Sequence, residues 1–209
     1  MVVSRSITAF LVFSITPLLP AEELGEMWGS AEEEAKYYPI VNIPIPPEVP
    51  MRPGSFEILP DGRLAVGTRR GDIYFIKGAF EPTPTPEYHL FASGQDEIFG
   101  LAWKDGAMTA TQFGEVTRIS DTDGDEVADR YDTLSNNWGY AEGHEFAFGS
   151  KHDPEGNLWV ALGLSGSYKS NNLFRGWAVK VTPDGKMIPV CSGLRSPGGV
   201  GRNAEGVMF

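Results

Sequence analysis

Apolar and polar residues alternate in short runs along most of the chain, and the runs come in pairs. FEILPDGRLAVGT from Phe56, LAWKDGAMTATQF from Leu101, FGSKHDPEGNLWVALG from Phe148 and VGRNAEGVMF from Val200 share one design. Each has an apolar stretch, a turn carrying Asp-Gly or Glu-Gly, and a second strand. A two-residue period predicts strands, and glycine in such turns supplies the positive φ that a tight hairpin needs. The turn glycines Gly62, Gly106, Gly156 and Gly206 are 44, 50 and 50 residues apart. A third strand is predicted in RRGDIYFIKG and QFGEVTRIS, and a fourth in Tyr88–Phe91, Arg130–Leu134 and Met187–Cys191.

Four strands per period of about 40–50 residues predict the blades of a β-propeller. A β-sandwich is the competing all-β architecture, and the matched glycine spacing argues against it. The expected blades lie near 55–92, 99–134 and 144–192, with a fourth beginning at 196–209. Because the chain stops in that fourth hairpin, it reads as the N-terminal part of a longer propeller, about three and a half blades, inactive by itself and prone to associate through its bare faces.

Ahead of the blades, Arg5 precedes a mostly apolar run from Ile7 to Leu19, with Pro20-Ala21 before Glu22-Glu23. Residues 1–21 therefore read as a signal peptide, and the protein as exported, periplasmic or extracellular. The run is too short to span a bilayer as a helix. Residues 22–54 form a lead-in, with a helical turn or two in Glu32–Tyr38. The segment YYPIVNIPIPPEVP is too proline-rich for a central strand, though Val41–Ile45 suits an edge strand.

Net charge sharpens the list of partners. At −11 with a pI near 4.7, the chain is a poor match for nucleic acid or an anionic membrane. The single cysteine, Cys191, rules out a disulfide, a CxxCH haem site or a cysteine-based zinc site within the chain, and is expected in the core.

One stretch does not fit the strand pattern. Between Asp121 and Asp132, five aspartates crowd into twelve residues. Numbered from Asp121, carboxylates fall at positions 1, 3, 5, 9 and 12: Asp121, Asp123, Asp125, Asp129 and Asp132. Val127 at position 7 offers a backbone carbonyl. That is the ligand order of a calcium loop, in which close carboxylates are neutralised by an ion that favours oxygen. Glu126 stands where such loops carry glycine, and Asp132 is shorter than the usual glutamate. The competing reading is a solvated acidic turn.

Several longer stretches resemble the glucose/sorbosone dehydrogenase-like six-bladed propellers. They are ILPDGRLAVGTRRGDIY, DTDGDEVADRYDTLS, GHEFAFGSKHDPEGNLWVALG and SGLRSPGGVGRNAEG. Within that family the chain is most similar to a secreted bacterial branch described as membrane-bound dehydrogenases. The resemblance covers about residues 30–209 and implies oxidation of a sugar or sugar alcohol by the quinone PQQ. It places His144 at the position of the general base and Arg195, in GLR-x-P, at that of a cofactor contact. Histidine suits proton removal near neutrality, and a guanidinium suits a cofactor carboxylate. The small residues Gly143, Ser196 and Gly198 depart from the polar contacts that flank these positions in active members.

The loop LGLSGSYKSNNLFRGW reads as an insertion of blade three, either solvated or lining the channel mouth with Lys169, Asn171, Asn172 and Arg175. His89 and His152 read as surface or structural. Trp103, Trp159 and Trp177 are expected between blades. Two further functions compete with sugar oxidation: a non-catalytic propeller that binds carbohydrate or protein, and a calcium-dependent lactonase-type hydrolase.

Overall fold

The computed structural model describes residues 31–140, 145–164 and 170–209. The chain divides into two compact units, Met1–Val41 and Asn42–Phe209. In the described part of the first, a single helical turn, α1 (Ala31–Glu34), exposes all its side chains. Among the described residues no helix is long and apolar enough to cross a membrane.

The second unit is all-β, as predicted. Three four-stranded antiparallel sheets follow one another along the chain, each with its strands in sequence order. The first holds β1 (Pro53–Ile58), β2 (Leu64–Thr68), β3 (Ile73–Lys77) and β4 (Glu87–Ala92). The second holds β5 (Gly100–Lys104), β6 (Ala107–Thr111), β7 (Val116–Ser120) and β8 (Arg130–Ser135). The third holds β9 (Ala147–His152), β10 (Leu158–Leu162), β11 (Trp177–Val181) and β12 (Met187–Ser192). These are three blades of a β-propeller. A bridge between Arg202 and Met208 opens a fourth hairpin. The four hairpin glycines all have positive φ, between 78° and 88°.

Blades stack because each sheet is apolar on both faces. Ala65, Ile73, Phe75 and Phe91 of the first pack against Leu101, Met108, Ala110 and Ile119 of the second, with Trp103 beside them. Phe75 and Phe91 stack with centroids 4.2 Å apart. The opposite face of the second blade sends Ala102 and Val116 into a core with Leu158, Val160, Leu162, Val179 and Val181 of the third. This explains why β2 and β6 are buried throughout and show no alternation in LAVGT and AMTAT. The inner strands approach closely. Gly149 N donates to Phe99 O at 3.0 Å, and a β-carbon on Gly100 would run into the carbonyl of Gly149.

Three expectations need correction. Val41–Ile45 forms no strand. The prolines around it lack the N–H groups an edge needs, and Ile43, Val49 and Met51 instead cover Leu64, Val66, Tyr74 and Ile76 on the outer face of blade one. The Tyr88 hydroxyl fixes this cover by donating to Pro44 O at 2.9 Å. Cys191 is exposed, because it lies on β12, the outermost strand of its blade. Trp103 and Trp177 pack into inter-blade cores as expected. Trp159 is instead held on the third blade, its Nε1 donating to Asp153 at 2.9 Å and Lys180 lying over its ring.

Candidate functional site

In every blade the even-numbered strands end where the first strand begins, so the loops after β2, β4, β6, β8, β10 and β12 gather at one end. Arg195 belongs to one of these loops. His144 lies outside the described residues, between Tyr140 and Glu145. Arg195 has an exposed side chain, and its carbonyl accepts a hydrogen bond from Leu164 N at 3.0 Å. The N–H groups of Gly193 and Leu194 both donate to Gly176 O, which fixes the turn carrying Arg195 against the β10–β11 loop.

An aromatic cluster lies at the same end. Phe146 packs against Phe99, Phe113 and Phe148 with centroids 4.7, 4.8 and 5.7 Å away. The Arg69 guanidinium lies over Phe99 and Phe146, at 5.4 and 5.9 Å, and its Nη2 donates to both oxygens of Glu97. The cluster therefore offers a flat apolar surface, which a planar ring system would suit, beside one guanidinium whose charge is shared with Glu97.

Beneath the cluster is a buried ionic network that the sequence did not disclose. The Arg175 side chain is 0% exposed and that of Glu145 2%, with Nε and Oε2 3.8 Å apart. Arg175 donates to three backbone carbonyls: Gly139 at 2.6 Å, Phe146 at 3.1 Å and Phe113 at 3.2 Å. Asn172 Nδ2 donates to Glu145 Oε2 at 2.6 Å. Burial pulls the Arg175 pKa down to about 10, against the opposing pull of Glu145, so the guanidinium stays charged at neutral pH. Arg175 and Asn172 therefore do not belong to a solvated loop. One guanidinium brackets the segment that contains His144, holding Gly139 O on one side and Phe146 O on the other. The available signal was an arginine set among apolar residues in LFRGWAV, at the entrance to a strand.

The acidic loop lies at the opposite end, between β7 and β8. Asp121, Asp123 and Asp125 each offer a carboxylate oxygen within 4.8 Å of the others, an all-oxygen set that suits calcium. Asp121 accepts from the backbone N–H groups of Gly124 and Glu126, and these bonds hold its carboxyl below the usual carboxylate range. Asp123 and Asp125 accept from the N–H groups of Asp125 and Val127. Gly124 and Glu126 both have positive φ, so Glu126 adopts the conformation a glycine was expected to supply. Asp129 points to Thr122, whose N and Oγ1 donate to it at 2.9 and 2.6 Å. Asp132 sits on β8 and pairs with Arg130 at 2.8 Å. The loop thus gathers three of the five aspartates.

It also grips blade one. Glu126 O accepts from His89 Nε2 at 2.7 Å, Ala128 N donates to Phe91 O at 2.7 Å, and Glu126 pairs with Arg63 at 3.0 Å.

Two solved structures resemble the fold. The holo form of the pyranose dehydrogenase PQQ domain from Coprinopsis cinerea superposes with a TM-score of 0.60 at 14% identity, over 76% of this chain and 42% of that one. An oxidoreductase (glucose dehydrogenase) from Thermus thermophilus superposes with a TM-score of 0.53 at 19% identity, over 74% and 55%. The chain therefore spans about half the length of these structures. No curated protein matches it. Residues 87–209 match the family described as a domain of unknown function (DUF7133), and the chain belongs to that family.

Proposed function

We propose that these blades belong to an exported quinoprotein of the sugar and sorbosone dehydrogenase type, with the reaction at the loop end of the channel. What supports the reading is that the described neighbours of His144, Tyr140 and Glu145, belong to the same set of loops as the Arg195 turn and the Arg69–phenylalanine cluster. His144 would take the proton from a sugar hydroxyl, which suits a group titrating near neutrality. Arg195 would hold a cofactor carboxylate, and PQQ, when bound, supplies the hydride acceptor. Arg175 ties Gly139 and Phe146, which flank the His144 segment in sequence, to the entrance of β11. Asp121, Asp123 and Asp125 hold a structural calcium ion at the far end, with Val127, Asp129 and Asp132 as the other candidate oxygens from the spacing.

Turnover is assigned to a ring completed by further blades, because this chain spans less than half of the PQQ domain it resembles. The test is PQQ titration of the completed protein, followed by dye reduction with aldoses and sugar alcohols. Arg195→Ala should weaken quinone binding about tenfold or more, the loss of one hydrogen bond between charged groups. His144→Asn should retain quinone binding and abolish turnover. A protein that binds no PQQ, or a His144→Asn variant with full turnover, would overturn the reading.

A further inference from the structure

Two adjoining grooves lie on blade two, and they share Gln112 and Glu115. The first, about 420 Å³, opens on the loop end between Asp96, Asn136 and Tyr140. The second, about 380 Å³, runs down the seam with blade one between Gly94, Thr133 and Tyr131. Each volume falls within the ~300–1,000 Å³ typical of small-molecule sites.

Their chemistry is consistent from end to end. No lysine, arginine or histidine lines either groove among the described residues. Among the described residues, no cation lines the grooves beside the carboxylates Asp96 and Glu115. Glu115 is fixed in place: it accepts from Gln112 Nε2, Thr117 Oγ1 and Thr133 Oγ1. Gln112 is itself saturated by Gln95, Thr117 and the N–H of Asp96, so it braces the carboxylate instead of reading a ligand. Each groove also has one tyrosine ring about half exposed, Tyr140 at 51% and Tyr131 at 42%. Tyr140 leans on Phe113, over the backbone of Gly114, where a β-carbon would run into the ring. The Tyr131 hydroxyl is tied to Ala128 O at 3.3 Å.

Fixed acceptors beside a flat ring call for a ligand that brings many O–H donors and an apolar C–H face. Two such sets joined through one shared carboxylate call for two linked units. We infer that the grooves bind a neutral disaccharide or a longer saccharide, one sugar ring over Tyr140 beside Asp96 and the next over Tyr131, with the one acceptor position left on Glu115 Oε2 taking a hydroxyl between them. A compact amine would need its acceptors gathered at one point, whereas here they are strung along the seam. The first groove reaches the same loop end, where Tyr140 packs on Phe113 of the aromatic cluster, but its occupation does not depend on quinone chemistry.

The full 209-residue chain is titrated, without quinone, with cellobiose, maltose, glucose and putrescine, by calorimetry and ligand-observed NMR. A disaccharide should bind saturably and more tightly than glucose. Glu115→Gln should weaken it about tenfold, the scale of a hydrogen bond to a charged group. Tyr131→Ala should bring the disaccharide down to the affinity of glucose while leaving glucose unchanged, and Tyr140→Ala should weaken both. Unfolding midpoints measured in parallel separate lost binding from lost folding, and the mild Glu115→Gln change decides the matter if Tyr140→Ala unfolds. Absence of saturable disaccharide binding would overturn the inference. So would equal affinity for glucose, binding indifferent to Glu115→Gln, or preference for putrescine. Because no quinone is present, failure here leaves the dehydrogenase reading to its own test.

Discussion

Replacing Arg175 with methionine removes one member of a buried charge pair and leaves the other. The side chain that is lost donates to Gly139, Phe146 and Phe113 carbonyls and faces Glu145 at 3.8 Å. Phe146 O and Phe113 O keep other partners, Gly163 N and Trp138 Nε1. Gly139 O loses its donor, and the Glu145 carboxylate loses the Arg175 charge while Asn172 still donates to it. Breaking such a pair from one side costs about 3–5 kcal/mol, a large share of the roughly 5–15 kcal/mol that holds a domain together. Arg175→Met should therefore unfold at markedly lower denaturant or temperature. The remaining carboxylate adds a pH signature. With the Arg175 charge gone, buried Glu145 should bind a proton more readily than it does in the wild type, so the variant's deficit should shrink as pH falls. Adding Glu145→Leu should recover most of the deficit, short of about 1–3 kcal/mol for the Gly139 carbonyl that has lost its donor. Equilibrium denaturation of the three proteins across pH 5–8 checks each step. A loss below about 1 kcal/mol in Arg175→Met, or a deficit that grows in acid, would refute this account of the pair.

Two further outcomes follow. His152 is pushed below its ordinary value mainly by burial, partly offset by its hydrogen bond with Gly156 O and lowered further by Lys104. Its folded pKa lies under the unfolded one, so this stability is complete above about pH 6.5 and is lost as pH falls through the folded value; His152→Gln should flatten that part of the stability profile in a pH-dependent melting series. For the acidic loop, added calcium should raise the melting temperature, and Asp123→Asn or Asp121→Asn should abolish the rise. An identical increment in both variants would leave the loop an acidic surface turn.

The blades were legible because their signals are local. Asp61-Gly62 and Asp105-Gly106 specify hairpins by themselves, and the repeat at 44 and 50 residues made the period visible. What escaped depends on contacts distant in sequence. Arg175 looks like any loop arginine until Phe113, Gly139 and Phe146 are brought round it from another blade and from its own. The aspartate spacing gave no hint that pairing of Ser120 with Arg130 starts β8 early and carries Asp132 off to Arg130. Cys191 looked like core because its strand is apolar, yet only order within the sheet shows which strand is outermost. Val41–Ile45 alternates like a strand, but its prolines leave the edge without donors.

The grip of the acidic loop on blade one bears on how the propeller comes apart. Neighbouring blades usually share only a greasy face, and repeats joined that way melt nearly independently. Blades one and two are additionally riveted at the rim, through Arg63, His89 and Phe91 of one and Glu126 and Ala128 of the other. The smallest piece that unfolds as a whole is then the pair, and an ion held by Asp121, Asp123 and Asp125 would lend its binding energy to both blades at once. A duplication or excision that separated them would sever the rivet and leave blade two with a loop shaped for an absent neighbour.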